Sequence, residues 1–185
     1  MLFLHSNNYQ ISIMKKLLLS AIAITVISLS ASAQDRSNFR FSVGAELGIP
    51  TGGFSSSHSF GIGGTAQAEI SLQENLMGTA TAGFLIFKGK SIPNTSNANF
   101  PEQTIIPIRI GVKYFLTTGI YGAFQTGVGF LGNNASGTAF AYSPQIGYEF
   151  ESKNNKSFDI SLKYDGYAKS GGSIGYFGIR LAKVL

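Results

Sequence analysis

The chain has 185 residues, of which 23 are glycine and none is cysteine or tryptophan; 12% are charged and 12% aromatic. Without cysteine there is no disulfide framework and no thiolate metal site, and a formal net charge of +5, scattered along the chain, excludes the concentrated basic face of a nucleic-acid binder. Low charge at a mean hydropathy of +0.16, with no spanning apolar run after the first 33 residues, suits a membrane barrel, where only every second strand residue needs to be apolar.

Residues 1–33 read as a targeting region. From Met14, "MKKLLLSAIAITVISLSASAQ" has a basic start at Lys15 and Lys16, an apolar run from Leu17 to Leu29, and a small-x-small site at Ala31-Ser32-Ala33. These are the three parts of a cleaved secretory signal. The run is short for a membrane anchor and carries Ser and Thr. Residues 1–13 are an extension ahead of the natural start of the signal. Cleavage is expected between Ala33 and Gln34, leaving 34–185 as one domain. Intact-mass measurement of the envelope protein checks this: the expected N-terminus is Gln34 or its cyclised form, and a mass retaining Leu17 to Ala33 refutes the assignment.

Eight strands are predicted after Gln34, at 39–49, 60–72, 76–88, 104–115, 120–131, 138–150, 157–165 and 174–184. The first, "FRFSVGAELGIP", alternates strictly: Phe39, Phe41, Val43, Ala45, Leu47 and Ile49 share one parity. Such period-2 alternation marks a strand with one apolar face. All eight are long enough to supply the 9–11 residues that a tilted strand needs to cross a bilayer. On one side the connections are the tight "QEN" and "TTG" and the somewhat longer "ESKNNKS"; on the other they are "PTGGFSSSHS", "GKSIPNTSNANFPEQ", "GNNASG", which is short for an outer loop, and a segment around "YAKSGGS". Short periplasmic turns and longer outer loops are the rule for outer-membrane barrels.

The two parities differ in chemistry. The apolar one carries Ile62, Ile70, Ile86, Ile108, Val128, Ile160, Ile179 and Leu181, with charge only at Lys88 and Lys183 near strand ends. The other carries five basic and five acidic residues: Arg40, Glu46, Glu69, Arg109, Lys113, Glu149, Asp159, Lys163, Asp165 and Arg180. Glycines such as Gly61, Gly63, Gly111, Gly127 and Gly147 lie between them. Long charged side chains beside glycine fit a narrow barrel interior. Aromatics gather near strand ends, as in the interfacial girdles of membrane barrels. The Phe39 face is therefore expected to look at lipid and the Arg40 face into the lumen. Counting up and down antiparallel strands places Arg40, Glu69, Lys113, Glu149, Asp159 and Arg180 low, and Glu46, Arg109, Lys163 and Asp165 higher. A lumen charge network is the expected result.

Catalytic and cofactor signals are weak. "GVGFLG" (127–132) has the letters of a dinucleotide fingerprint, but that motif needs a strand before it and a helix after it, and no helical pattern follows. His58, in "SSSHSF", is the one histidine after the signal. A Ser–His nucleophile needs its base oriented by a third group; no spacing here supplies one, so a solvated loop histidine is expected. One histidine, no cysteine and dispersed carboxylates make no metal site. The Asn/Ser-rich loop 89–103 offers a surface to a ligand outside the cell, but its composition fits a solvated flexible loop better.

"TIIPIRIGVKYFL" (104–116), "PQIGYEF" (144–150) and "FDISLKYDGY" (158–167) resemble the fourth, sixth and seventh strands of the outer-membrane β-barrel domain family common in Bacteroidota, a porin-like group of small single-domain barrels. "IGYFGIRLAKVL" (174–185) fits the last strand less well, because such barrels usually end on an aromatic residue and this chain ends in Leu185. The resemblance implies an outer-membrane location, contact with outer-membrane lipid, and insertion by the barrel-assembly machinery. It implies little about activity.

The expectation is an all-β protein: an eight-stranded antiparallel transmembrane β-barrel with a cleaved N-terminal signal peptide, its lumen plugged by the inward charges. It is expected to be no enzyme, to need no cofactor and to bind no nucleic acid, and to have a structural or interaction role through its surface loops, with the ligand unknown. The rival readings are a narrow pore, a lipid-modifying enzyme resting on His58, and a soluble periplasmic lipid-binding barrel, which would fractionate without detergent.

Overall fold

The computed structural model describes residues 39–92, 98–133, 136–152 and 156–185; the signal assignment, with Met14, Ala33 and Gln34, lies outside them. Eight strands form: β1 (Phe39–Thr51), β2 (His58–Gln73), β3 (Leu76–Gly89), β4 (Gln103–Phe115), β5 (Ile120–Asn133), β6 (Gly137–Ser152), β7 (Lys156–Lys169) and β8 (Gly172–Val184). One short helix, α1 (Gly52–Ser57), precedes β2. Every strand pairs antiparallel with its sequence neighbours, and β1 pairs with β8, so the sheet closes into a barrel.

Register fixes the shape. A hydrogen-bonded row starting at Phe41 passes through Ala68, Ala80, Ile110, Thr126, Tyr142, Gly166 and Gly175 and re-enters β1 at Thr51, ten residues on. A stagger of that size tilts the strands by about 40° and leaves eight strands an interior only wide enough for side chains. Both ends of the described barrel, Phe39 and Leu185, lie at one end, here the lower, where the Leu185 amide bonds the Phe41 carbonyl. Two prolines interrupt ladders, since neither has an N–H to donate. The β3–β4 pairing skips from Ala82↔Ile108 to Leu85↔Ile105 around Pro107, and the β6–β7 pairing skips from Tyr142↔Gly166 to Gln145↔Lys163 around Pro144.

The alternation sorts the faces. Ile110 is 66% exposed and Leu181 58%, whereas their strand neighbours Arg109 and Arg180 are 1% and 3% exposed. Lumen glycines are needed where backbones close in. A Cβ on Gly127 would strike the Ile108 carbonyl oxygen and lie 2.8 Å from the Arg109 Cα, whereas one on Gly122 meets nothing within 4 Å. Gly127→Ala should therefore cost about 1–3 kcal/mol as overpacking, while Gly122→Ala stays near neutral. Urea midpoints in micelles check the contrast, and equal shifts would contradict it.

Two connections differ from the sequence reading. The segment "PTGGFSSSHS" is not all loop: Gly52 takes a φ of +55° and the chain turns into α1. Strand β7 continues past Asp165 to Lys169, because Tyr167 points inward and stacks on Tyr176 at 6.2 Å. The following connection shrinks to Ser170–Gly171, with Gly171 at a φ of +92°. Upper connections are thus not uniformly the longer ones.

Candidate functional site

The ten inward charges fall into two groups. In the lower one, the Arg40 guanidinium bonds Glu69 at 2.5 Å and Glu149 at 2.6 Å. Lys113 Nζ lies 3.1 Å from Glu69, 3.0 Å from Glu149 and 3.4 Å from Asp159. Arg180 bonds Asp159 at 3.3 Å, the Thr65 hydroxyl at 2.7 Å and the Ser42 hydroxyl at 2.9 Å. Three cations meet three carboxylates. Lys113 also lies 4.1 Å from the centre of the Tyr121 ring, a cation–π contact that strengthens in a dry interior.

The upper group holds two cations and two carboxylates. Arg109 pairs with Asp165, and Lys163 lies 3.1 Å from Asp165 and 2.7 Å from Glu46. The Tyr176 hydroxyl donates to the other Glu46 oxygen at 3.1 Å. Arg109 Nε and Nη2 have no hydrogen-bond partner among the described residues. The six residues counted as low and the four counted as high are these same two groups. Amides and hydroxyls fill the space near them: Gln125 Nε2 donates to Gln67, Thr79 and Thr81 at 3.2, 3.1 and 2.9 Å. Gln67 in turn donates to Glu69 at 2.7 Å.

The sequence reading did not anticipate an apolar plug in this polar lumen. Leu85, Phe87, Ile105, Leu131, Tyr167 and Tyr176 are buried together, with Phe54 of α1 packed on them. Phe87 lies 4.9 Å from Tyr176 and 5.0 Å from Phe54, ring centre to ring centre. A signal for it existed. Phe84-Leu85-Ile86-Phe87 and Ile105-Ile106 are apolar at both parities, so both faces of the wall are apolar there. Lumen residues from Lys113 up to Tyr176 have almost no accessible surface, which a water-filled channel would give them.

His58 is corrected from a solvated loop residue to a buried one. It is 1% exposed, 4.6 Å from the Phe54 ring. Its Nε2 meets the Pro101 carbonyl at 3.1 Å, and its Nδ1 lies 2.8 Å from the Ser57 hydroxyl. A carbonyl only accepts, so Nε2 carries the proton and Nδ1 accepts from Ser57. The ring ties the 90–102 connection to the α1 corner. Lys90 adds to the join: its amide bonds the Ser57 carbonyl at 2.8 Å and its ammonium the Ser55 carbonyl at 2.7 Å. Within the connection itself, Ser91 bridges to Asn99. α1 and the two ends of 90–102 thus form a fixed upper rim over the plug. "GVGFLG" lies inside β5 and leads into β6, without the helix a dinucleotide site needs.

Comparison places this architecture. The model of the outer membrane protein beta-barrel domain matches residues 21–179. Among solved structures, the crystal structure of Ail, the attachment invasion locus protein of Yersinia pestis, is similar with a TM-score of 0.52 and 11% identity, over 80% of this chain and 99% of that one. The backbone structure of Ail in a phospholipid bilayer nanodisc is similar with the same TM-score and identity, over 79% of this chain and 99% of that one. At that identity the likeness concerns the fold. No curated protein matches the sequence.

Proposed function

Because the chain belongs to the outer membrane protein beta-barrel domain family, and is an integral outer-membrane β-barrel, we propose that it works through its outer rim, as a structural or interaction protein, rather than through its lumen. The observation that carries this reading is the double closure of the interior. Among the described residues, two charge-balanced networks and an aromatic plug occupy the interior, while α1 and the two ends of the 90–102 connection are joined above them. Short turns face the periplasm in such barrels, which puts this rim outside the cell. Attachment, in Ail's name, is a task of the same kind. The "TIIPIRIGVKYFL" and "FDISLKYDGY" stretches support a place in the porin-like group common in Bacteroidota. A signal cleaved at Ala33-Gln34 and insertion by the barrel-assembly machinery complete the reading.

We also read the protein as no enzyme. A hydrolytic Ser57–His58 pair would need the imidazole held by a group that stabilises its cation. His58 is held instead by the neutral Pro101 carbonyl and covered by Phe54.

Replacing 91–101 by a two-residue turn is the direct test. The barrel should still fold, shown by its gel mobility without heating, while adhesion or envelope phenotypes of the deletion strain persist. Full rescue by the shortened protein would overturn the rim reading. In planar bilayers the pure protein should give no steady current, and large stable single-channel currents would make the narrow-pore reading the better one.

A further inference from the structure

We propose that the lipid face of β8, β1 and β2 carries a seat for one phospholipid of the periplasmic leaflet. One acyl chain lies over Ala45 and Gly64, and Lys183 takes the phosphate.

Register builds the trough. The row Phe84–Gly64–Ala45–Leu181 sets two small residues, on adjacent strands, between two large ones. The result is a groove of about 510 Å³, bounded by Val43, Phe84, Phe158 and Leu181 and ending at Lys183. A Cβ on Gly64 would touch only the Phe84 ring edge at 3.5 Å and the Gly44 oxygen at 3.7 Å, so the floor is open above. Facing hydrocarbon, such a groove must be filled by a chain of its own chemistry.

The lysine supplies the second half of the ligand. Val43 pairs with Lys183, and Lys183 with Phe158, at the lower end of the barrel. Lys183 is exposed on the lipid face and forms no ion pair among the described residues. A cation there is costly unless its flexible stem carries the ammonium to the headgroup level. An apolar groove running toward a cation matches the two ends of a phospholipid. A second copy of this chain fits less well, because a twofold contact over the groove would bring two Lys183 ammonium groups together without a counter-charge.

Native mass spectrometry of the folded protein in detergent tests this, with phosphatidylglycerol and a diacylglycerol of the same chains as probes. The expected result is one retained phosphatidylglycerol and weaker retention of diacylglycerol. Lys183→Gln should weaken phosphatidylglycerol retention about fivefold, the effect of one basic residue near an anionic surface, and remove the discrimination between the two lipids. Gly64→Leu, filling the floor, should lower retention of both, while Val112→Leu on the far lipid face changes neither. Gel mobility without heating verifies that each variant is folded; the Lys183→Gln arm stands alone if Gly64→Leu does not fold. Equal retention of both lipids by the parent protein, no effect of Lys183→Gln, or a dimer that Gly64→Leu abolishes would each overturn the proposal.

Discussion

Asp165→Ala is expected to lower the unfolding free energy of the barrel by about 3–5 kcal/mol, the range for leaving one member of a buried ion pair alone. Redundancy decides which lumen carboxylate matters most. Without Glu69, Lys113 keeps Glu149 and Asp159, and Arg40 keeps Glu149. Without Asp165, Lys163 keeps Glu46, but Arg109 loses its only ion-pair partner among the described residues, with its Nε and Nη2 already unpartnered. The Arg109 side chain is 0% exposed, so water cannot take over. Glu69→Ala should thus be milder than Asp165→Ala, and the rim variant Lys90→Ala milder still. Removing both charges with apolar residues of similar size, Arg109→Met with Asp165→Leu, should recover most of the loss, because desolvation of the pair is then no longer required. The Lys163–Glu46 pair left behind stays neutral. Urea titration in phospholipid vesicles, read by gel mobility, measures all four variants. An Asp165→Ala variant no worse than Glu69→Ala, or a double variant worse than the single one, would contradict this ranking.

The depth of these charges was legible because a strand has a fixed rise and a period of two. Counting from the turns was enough to separate Glu46 from Arg40, although nothing local links Glu46 to Lys163. What sequence order could not show was contact that depends on distant elements. The composition of α1, "GGFSSS", reads as loop; its helix is useful only because Phe54 lands on Phe87, which lies 33 positions later. The burial of His58 likewise depends on Pro101, 43 residues away. "SGGS" looked like an outer loop because a glycine pair fits loops of any length. The structure uses one of those glycines for a tight turn, which lets Tyr167 extend β7 inward. The plug was missed for another reason. Charge marks the inner parity on most strands, whereas Leu85, Phe87 and Ile105 share that parity without charge and form the upper interior.

The facing itself makes the sharpest prediction about lipid. On β2 the outward residues descend from Phe60 through Ala66 and Ala68 to Leu72, with Leu72 beside the turn after Gln73. Ala66 lies at the middle of the strand His58–Gln73 and is exposed. Arginine at the midplane of a barrel's lipid face costs about 2–4 kcal/mol and near the interface only about 0–1 kcal/mol. Ala66→Arg should therefore cost the most, Ala68→Arg less, and Leu72→Arg least. The long arginine stem explains the gradient: from Leu72 it reaches headgroups at once, from Ala66 it must cross hydrocarbon. Folding titrations in vesicles of one lipid composition give the three values. In a soluble barrel these side chains would face water, and all three substitutions would be near neutral. With the faces reversed, Ala66→Arg would enter the packed lumen, and its cost would not fall with distance from the bilayer centre. A monotonic fall from Ala66 to Leu72 is the signature of lipid outside and charge within.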